Sequence, residues 1–260
     1  MAGVSAQRAG EPALLEAREL QKRFGHVVAL RDAGFELRHG EVHAIVGDNG
    51  AGKSTLIKIL SGVLAPDAGE VRLDGRSVEI AGPREARELG IETVYQDLAL
   101  ADHLDAAANL FLGREQLRSA PLSWLGFLDN RAMRRRAEEE LQRFKIRIPS
   151  VTQRVLSLSG GQRQAIAVAR AVAWGTTIVI MDEPTAALGV RESGMVLELI
   201  GGLRSHGVAV IMISHNLPEV FAVADRITIM RLGRTIVTVP TEATSLDAVV
   251  AMMTGAVAAA

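Results

Sequence analysis

The stretch Gly47–Thr55 contains the residue types that phosphate binding requires. It reads Gly-Asp-Asn-Gly-Ala-Gly-Lys-Ser-Thr and fits the pattern G-x-x-x-x-G-K-[ST]. Glycines allow backbone N–H groups to close around phosphate oxygens, Lys53 brings a positive charge to the β- and γ-phosphates, and the Ser54 hydroxyl is suited to ligate Mg²⁺. We therefore predict a nucleotide site whose loop residues are Gly47, Asn49, Gly50, Ala51, Gly52, Lys53, Ser54 and Thr55.

The residues on either side of this loop predict a strand before it and a helix after it. Residues 41–46 form a short, mostly apolar run, and apolar residues recur at helical spacing between 56 and 60, with Gly62 suited to end that helix. A phosphate binds well at a helix N-terminus, so the order of strand, loop and helix is the one the chemistry needs. The alternative, an ordinary glycine-rich turn, does not require this order.

Two carboxylates follow the apolar run Thr177–Met181, which predicts a buried parallel strand. Asp182 ends that strand and can hold Mg²⁺ directly or through water, completing the site that Ser54 begins. Glu183 comes next, so its side chain points differently, and it can polarise a water for in-line attack on the γ-phosphate. The alternative for Glu183 is a surface carboxylate at a strand end.

His215 and Gln96 also follow predicted strands, at residues 208–213 and 91–95. His215 is predicted to contact the γ-phosphate, although a histidine in this position can also be purely structural. Gln96 can supply an oxygen to Mg²⁺ or to the attacking water, and by itself it would be only a polar strand terminus.

A second anion-binding helix start occurs at Ser159, Gly160, Gly161 and Gln162. These small residues leave N–H groups free, and Ser159 suits the N-cap of the helix that follows. One nucleotide does not need two such starts in one chain, whereas two chains that face each other do. Phe24 ends a predicted strand, where the pattern alone indicates an ordinary core or hairpin aromatic.

Composition limits the function classes further. The 260 residues are 48% hydrophobic and 3% aromatic, and the net charge is −1, which argues against a nucleic-acid partner. Without cysteine there is no disulfide framework or thiolate metal site. No run of 18 uncharged apolar residues exists, and the apolar tail 248–260 is too short to span a bilayer. We predict a soluble cytoplasmic protein with a loose leader at 1–12, able to attach to a membrane protein.

Strands that alternate with helices predict an α/β fold with a mainly parallel sheet. Two antiparallel strands are predicted at 14–24 and 27–37, and a turn at 66–69 precedes a further hairpin. From about 97 to 155 strand patterns disappear and helical periodicity takes over, with a loop-like interruption at 121–128, which indicates an inserted helical lobe.

At these residues the chain resembles the nucleotide-binding subunit of ATP-binding cassette (ABC) transporters. The resemblance covers about residues 12–255 and includes the signature Leu158-Ser159-Gly160-Gly161-Gln162. It implies a P-loop NTPase (RecA-like) core with an N-terminal antiparallel β part and an inserted α-helical subdomain. The expected single nucleotide-binding domain spans 1–260, with the ATPase core at about 12–96 and 171–255 and the helical subdomain at about 97–170.

The resemblance also implies a head-to-tail dimer with two ATP molecules at its interface. Each ATP would lie between one chain's phosphate loop and Ser159-Gly160-Gly161 of the second chain. Phe24 matches the aromatic that stacks on adenine in the family. The implied catalytic residues are Glu183, His215, Gln96 and Lys53, and the implied Mg²⁺ ligands are Ser54, Gln96 and Asp182. Hydrolysis and ADP release would open the dimer and move integral membrane permease subunits at the cytoplasmic face of the inner membrane.

Three stretches resemble the monosaccharide-uptake branch of this family, the ribose, xylose and fructose type: Val94–Leu100, Asn109–Glu115 and Asp182–Gly189. Many members of this branch carry two cassettes, whereas this chain has one, so it must pair with a copy of itself or with another cassette. In such importers an extracytoplasmic sugar-binding protein and the permease choose the sugar. Gly189 stands where most of the superfamily has Asp, so this chain lacks the side chain with which that Asp would contact the second subunit.

Two alternatives remain at this stage. A soluble, non-transport cassette ATPase of translation or repair would carry the same motifs, and the near-neutral charge argues against it. A phosphate-loop kinase or GTPase would leave Ser159–Gln162 and His215 without a role.

Overall fold

The computed structural model describes residues 13–119, 124 and 126–256. The predicted leader at 1–12 lies outside these residues. So do 120–123 and 125, which belong to the predicted interruption at 121–128, and the last four residues of the apolar tail. Two β-sheets and eight α-helices form the described part of the chain.

The larger sheet has six strands in the order β10-β9-β3-β8-β7-β6. Its strands are β3 (Val42–Val46), β6 (Ile91–Val94), β7 (Ile178–Asp182), β8 (Ala209–Ile213), β9 (Arg226–Arg231) and β10 (Arg234–Pro240). Only β9 and β10 pair antiparallel; every other pair in this sheet is parallel. The predicted α/β fold with a mainly parallel sheet is therefore confirmed.

The smaller sheet is antiparallel throughout and has the order β2-β1-β4-β5. Its strands are β1 (Leu15–Phe24), β2 (Val27–Leu37), β4 (Ala68–Leu73) and β5 (Arg76–Val78). The predicted turn at 66–69 is wrong in its second half, because Ala68 and Gly69 already belong to β4. A Cβ on Gly69 would lie 2.5 Å from the carbonyl oxygen of Arg18, so glycine is needed here for close approach of two strands.

The helices begin and end close to where their apolar spacing and caps predict. They are α1 (Lys53–Leu60), α2 (Pro83–Glu88), α3 (Ala106–Leu110), α4 (Asn130–Arg143), α5 (Gly160–Val172), α6 (Val190–Arg204), α7 (Leu217–Val223) and α8 (Leu246–Thr254). Side-chain oxygens of Asp105, Asp129, Ser159 and Ser245 accept the free N–H groups at the starts of α3, α4, α5 and α8. Between residues 97 and 155 the described chain has isolated bridges but no strand.

Helix α5 packs on both of its sides. Ile166 and Ala169 belong to the apolar cluster of the helical region, with residues of α3 and α4. Ala167, Val168 and Ala171 belong instead to the cluster that covers one face of the larger sheet. The helix is thus shared by both packing units. The predicted division at about residue 170 falls inside it and stays a prediction.

A buried polar cluster joins the strand before the phosphate loop to its neighbours. His43 in β3 has no exposed surface; its Nε2 lies 2.7 Å from Thr228 Oγ1 in β9, and its Nδ1 lies 3.1 Å from Glu41 Oε1. Burial lowers the pKa of His43, opposed by its hydrogen bond to Glu41. Because buried polar groups are costly when unpaired, these bonds fix the register of β3 against β9.

Candidate functional site

The backbone of the phosphate loop packs closely against residues of neighbouring strands. Gly47 has φ 154° and Gly52 has φ 103°. A Cβ on Gly47 would lie 2.2 Å from the carbonyl oxygen of Met230, and one on Gly52 would lie 2.8 Å from Leu30 Cδ2. Glycine at these two positions therefore meets both a conformational and a steric requirement.

The first turn of α1 leaves its N–H groups unused. The earliest helical bond runs from Leu56 N to Gly52 O, at 2.9 Å, and no side chain caps the helix. Within the described part of the chain, the N–H groups of Lys53, Ser54 and Thr55 have no hydrogen-bond partner. Free donors at the positive end of a helix dipole fit an anion, so the loop is suited to hold phosphates.

Lys53 folds back over the loop. Its Nζ donates to the carbonyl oxygen of Gly47 at 2.6 Å and to that of Asp48 at 3.0 Å. Burial lowers the pKa of Lys53, and the nearby carboxylates of Glu183, Asp48 and Asp182 oppose that shift. The ammonium is thus held close both to the loop and to the carboxylates that end β7.

The strand order brings the predicted strand-end residues to one edge of the larger sheet. Strands β3, β8, β7 and β6 are parallel neighbours, so their carboxyl ends share that edge. Asp182 is the last residue of β7, and burial, followed by the charge of Glu183, raises its pKa. Glu183 N continues the ladder by donating to Ile213 O at 3.0 Å.

Glu183 and His215 meet directly. Glu183 Oε2 lies 2.8 Å from His215 Nδ1, with the Glu183 side chain 20% exposed and the His215 side chain 77% exposed. Glu183 has φ 51°, in the left-handed region, which is uncommon for a residue with a side chain. The pair places a carboxylate and an imidazole together above the sheet edge, close to Lys53.

Gln96 and Phe24 are exposed and make fewer contacts. Gln96 follows β6, and within the described chain its side chain has no hydrogen bond to the loop or to Asp182. Phe24 ends β1 with 47% of its surface exposed, and Lys22 Nζ lies 6.0 Å from its ring centroid. Its ring is therefore available for stacking, while its contact with a base stays a prediction.

The second predicted anion-binding helix N-terminus, at Ser159, is well formed but lies apart from the phosphate loop. Ser159 Oγ accepts from Gln162 N at 3.4 Å, and Gln162 Oε1 accepts from Ser159 N at 3.1 Å, which makes a capping box. Among the described residues, no hydrogen bond or ion pair joins this start to the phosphate loop. The prediction that a second chain completes the site is compatible with this separation and stays a prediction.

Instead, the second start contacts the beginning of α6. A Cβ on Gly160 would lie 2.8 Å from Leu188 Cδ2. The nearby Ser159 hydroxyl holds the pKa of Glu192 below its usual value, and Gly189 N donates to Glu192 Oε2 at 3.4 Å. The segment that leaves Glu183 is thereby tied to Ser159.

Two supports of the site were not predicted from the sequence. Gly233, in the turn between β9 and β10, donates its N–H to Ala51 O at 3.0 Å and accepts from Arg31 N at 2.8 Å. Its φ is 78°, and a Cβ there would lie 2.8 Å from Ala29 O. The turn therefore braces the phosphate loop from behind, but in the sequence it looks like any hairpin glycine.

The second support is a partly buried hydrogen bond from the Thr185 hydroxyl to the carboxylate of Glu219 in α7. Thr185 follows Glu183, and α7 follows His215, so this bond joins the two segments that carry the Glu183–His215 pair. Nothing in the local pattern around either residue predicts it, because they are 34 positions apart.

The described residues contain no cluster of three or more histidines and carboxylates that could hold a metal ion without further ligands. Asp182 and Ser54 offer oxygen atoms, which suit Mg²⁺. A cation beside Asp182 would offset the cost of burying that carboxylate, so these residues fit the ion when phosphate oxygens supply further ligands.

None of the helices in the described part is long and apolar enough to cross a membrane.

Comparison with known proteins agrees with a nucleotide-binding site. Residues 30–186 match the ABC transporter family. The chain is 53% identical over 251 residues to the fructose import ATP-binding protein FrcA of Rhizobium meliloti, covering 95% of this chain and 96% of that protein. It is 46% identical to a putative ribose/galactose/methyl galactoside import ATP-binding protein of Burkholderia lata, of which it spans only 47%.

Solved structures have the same fold. The ADP conformation of MJ1267, an ATP-binding cassette of an ABC transporter, superposes with a TM-score of 0.78 at 24% identity, covering 94% of this chain and 95% of that one. The dimeric MJ0796 cassette bound to ADP and Pi superposes with a TM-score of 0.71 at 24% identity, covering 87% and 98%. These likenesses support the fold.

We expect the change Gly233→Ala to weaken nucleotide binding by about 10-fold, because the added methyl group displaces Ala29 and the brace on Ala51. A matched control is Gly207→Ala, where φ is 77° and a Cβ meets nothing within 4 Å. Both variants should lose about 1–2 kcal/mol of stability through left-handed strain, but only the first should lose nucleotide affinity. Calorimetric titration with a non-hydrolysable ATP analogue and urea unfolding check this, and equal affinities in the two variants would contradict the brace.

Proposed function

The chain belongs to the ABC transporter family, and on that premise we propose that it is the ATP-hydrolysing subunit of an importer that takes up a monosaccharide through a membrane permease. The ATPase assignment rests on the contact between Glu183 and His215, which lie beside the phosphate loop and the uncapped N-terminus of α1. The near-complete mutual coverage with a fructose import ATP-binding protein supports the sugar importer.

The loop residues and Phe24 would bind the nucleotide. N–H groups at the start of α1 and the Lys53 ammonium would hold the β- and γ-phosphates, and the exposed Phe24 ring would stack on adenine. Ser54, Asp182 and Gln96 would hold Mg²⁺, which supplies positive charge to the phosphate oxygens. Lys53 must exchange its bonds to the Gly47 and Asp48 carbonyls for phosphate oxygens when ATP enters.

Glu183 and His215 would act on the attacking water and the γ-phosphate. The Glu183 carboxylate is suited to accept a hydrogen bond from the water and to aim its oxygen in line. His215 would orient that carboxylate and donate a hydrogen bond to the γ-phosphate, since its ring is largely exposed at the sheet edge. Gln96 would contact the same water or the cation from the end of β6. Catalysis then consists mainly of positioning and charge stabilisation.

A second copy of this chain would complete each site. The start of α5 at Ser159–Gln162 has the geometry of an anion site but no phosphate loop beside it, so a head-to-tail homodimer would bring the two together. The chain spans about half the length of a ribose-type relative and nearly all of the fructose-type one. Gly189 gives no side chain to that interface.

We place the complex at the cytoplasmic face of the inner membrane, bound to integral permease subunits that receive sugar from an extracytoplasmic binding protein. Within the chain, the proposed ATPase core comprises about residues 12–96 and 171–255. The proposed helical subdomain comprises about residues 97–170 and would contact the permease through the segment after Gln96. Opening of the dimer after hydrolysis would move the permease.

For Glu183→Gln we expect intact ATP binding and dimer formation but a loss of at least about 100-fold in steady-state hydrolysis, because the amide cannot polarise water as a carboxylate does. Phosphate release by the purified chain measures this. The matched control is Glu88→Gln, an exposed glutamate paired only with Arg84, which should hydrolyse at the wild-type rate. Wild-type turnover by Glu183→Gln would remove the assigned role.

The transport assignment is tested by isolating the chain from its native membrane under mild detergent. We expect a multi-span permease to co-purify and ATP hydrolysis to increase when the cognate sugar and its binding protein are added. Recovery of the chain with ribosomes or DNA, and not with a permease, would support the soluble non-transport alternative and contradict the importer.

A further inference from the structure

Arg170, in the last turn of α5, holds the backbone of the segment that follows Gln96. Its Nη1 donates to Ala99 O at 2.8 Å, and its Nη2 donates to Leu98 O at 2.8 Å. The guanidinium group is planar and rigid, so one side chain spans two consecutive carbonyl groups in a fixed geometry. A lysine has three donors on a single rotating nitrogen and lacks this rigid fork.

The segment held in this way is strained. Ala99 has φ 47°, in the left-handed region that alanine rarely adopts. Besides Arg170, the turn is supported by a hydrogen bond from Ala99 N to Asp97 Oδ1, which is long at 3.3 Å. Strained backbone persists only where its surroundings over-determine it, and here the guanidinium group is the strongest of those contacts.

Arg170 lies beside a cluster of charged residues centred on Glu92. Glu92 pairs with Arg87 (Nε to Oε2, 3.6 Å) and with Arg114 (Nη2 to Oε1, 3.3 Å). Arg114 also lies 5.3 Å from the ring centroid of Trp174. Glu92 attracts Arg170 electrostatically, but within the described chain the hydrogen bonds of the Arg170 guanidinium group go to the Leu98 and Ala99 carbonyls.

Helix α5 connects the contacts of Arg170 with Leu98 and Ala99 to the helix N-terminus at Ser159. It begins at the Ser159 capping box and, 13 residues later, ends with Arg170 in its last turn, so the two features lie about 15–20 Å apart on one rigid element. Apolar residues are buried on two sides of the helix, which opposes bending. A shift of the Ser159 end is therefore carried to the segment after Gln96.

We propose that Arg170 is a positioning residue for Gln96: it fixes the turn at 97–99 to α5, so that the Gln96 side chain reaches its working place only when α5 is correctly docked. This inference rests on the role proposed above for Gln96. It explains why an exposed glutamine without side-chain partners is followed by a turn that is held so firmly. It also makes α5 the link between Ser159, which faces the second chain, and Gln96 in its own site.

A double-mutant cycle tests the proposal on the purified full-length chain. We expect Arg170→Met to lower kcat for ATP hydrolysis by about 10-fold to 100-fold, with KM for ATP changed by less than about 2-fold, because the phosphate loop is untouched. Arg170→Lys, which keeps the charge and the stem, should fall between. In a Gln96→Ala background, Arg170→Met should lower kcat by less than about 2-fold more, since the residue it positions is gone.

The matched control is Arg87→Met, which removes a cation from the same cluster without a bond to the turn at 97–99 and should leave kcat unchanged. Multiplicative losses in the double variant would overturn the proposal, because they would mean that Arg170 acts independently of Gln96. If Gln96→Ala alone leaves kcat unchanged, Gln96 has no role in hydrolysis. That result would contradict the role proposed for Gln96 and, with it, the positioning role of Arg170. Should Arg170→Met not fold, the same cycle with Arg170→Lys decides.

Discussion

The structure depends on the close packing of the phosphate loop against the turn between β9 and β10. Because Gly47 and Gly52 have no Cβ, the loop can lie against Met230, Leu30 and Gly233, and this contact leaves the first N–H groups of α1 without partners. A helix start without partners is costly unless an anion satisfies it. The fold therefore maintains free donors that suit a bound anion, and the neighbouring parallel strands bring carboxylates and a histidine to the edge of this site.

The chain has two helix N-termini suited to anions, and they do not meet. At the start of α5 a capping box engages the N–H groups of Ser159 and Gln162, and Glu192, at the beginning of α6, lies close to Ser159. Leu188 packs on Gly160, and the partly buried hydrogen bond from Thr185 to Glu219 holds the segment that connects Glu183 to α6. This segment therefore links Glu183, the proposed catalytic carboxylate of one site, to Ser159, the proposed phosphate-binding wall of the other.

Much of this was predictable from local sequence, and what was not predictable depends on long-range contacts. The phosphate loop, the strand that ends at Asp182 and the capping box at Ser159 have local patterns, so their elements begin and end close to where those patterns indicate. Gly69 was misinterpreted as part of a turn, because its close approach to Arg18 is a pairing between distant strands. The brace by Gly233 and the hold of Arg170 on Leu98 and Ala99 join residues many positions apart, which no period of 2 or 3.6 reveals.

Mixing two inactive variants shows whether two copies of the chain complete each other's sites. In an equal mixture of chains carrying Glu183→Gln and chains carrying Ser159→Arg, the mixed dimer has one site with both defects and one intact site. If the sites are shared, ATP hydrolysis by the mixture rises well above that of either variant alone, to about a quarter of the wild-type rate if half the dimers are mixed and each has one working site. Hydrolysis by the mixture no higher than the mean of the two separate variants would contradict the shared site.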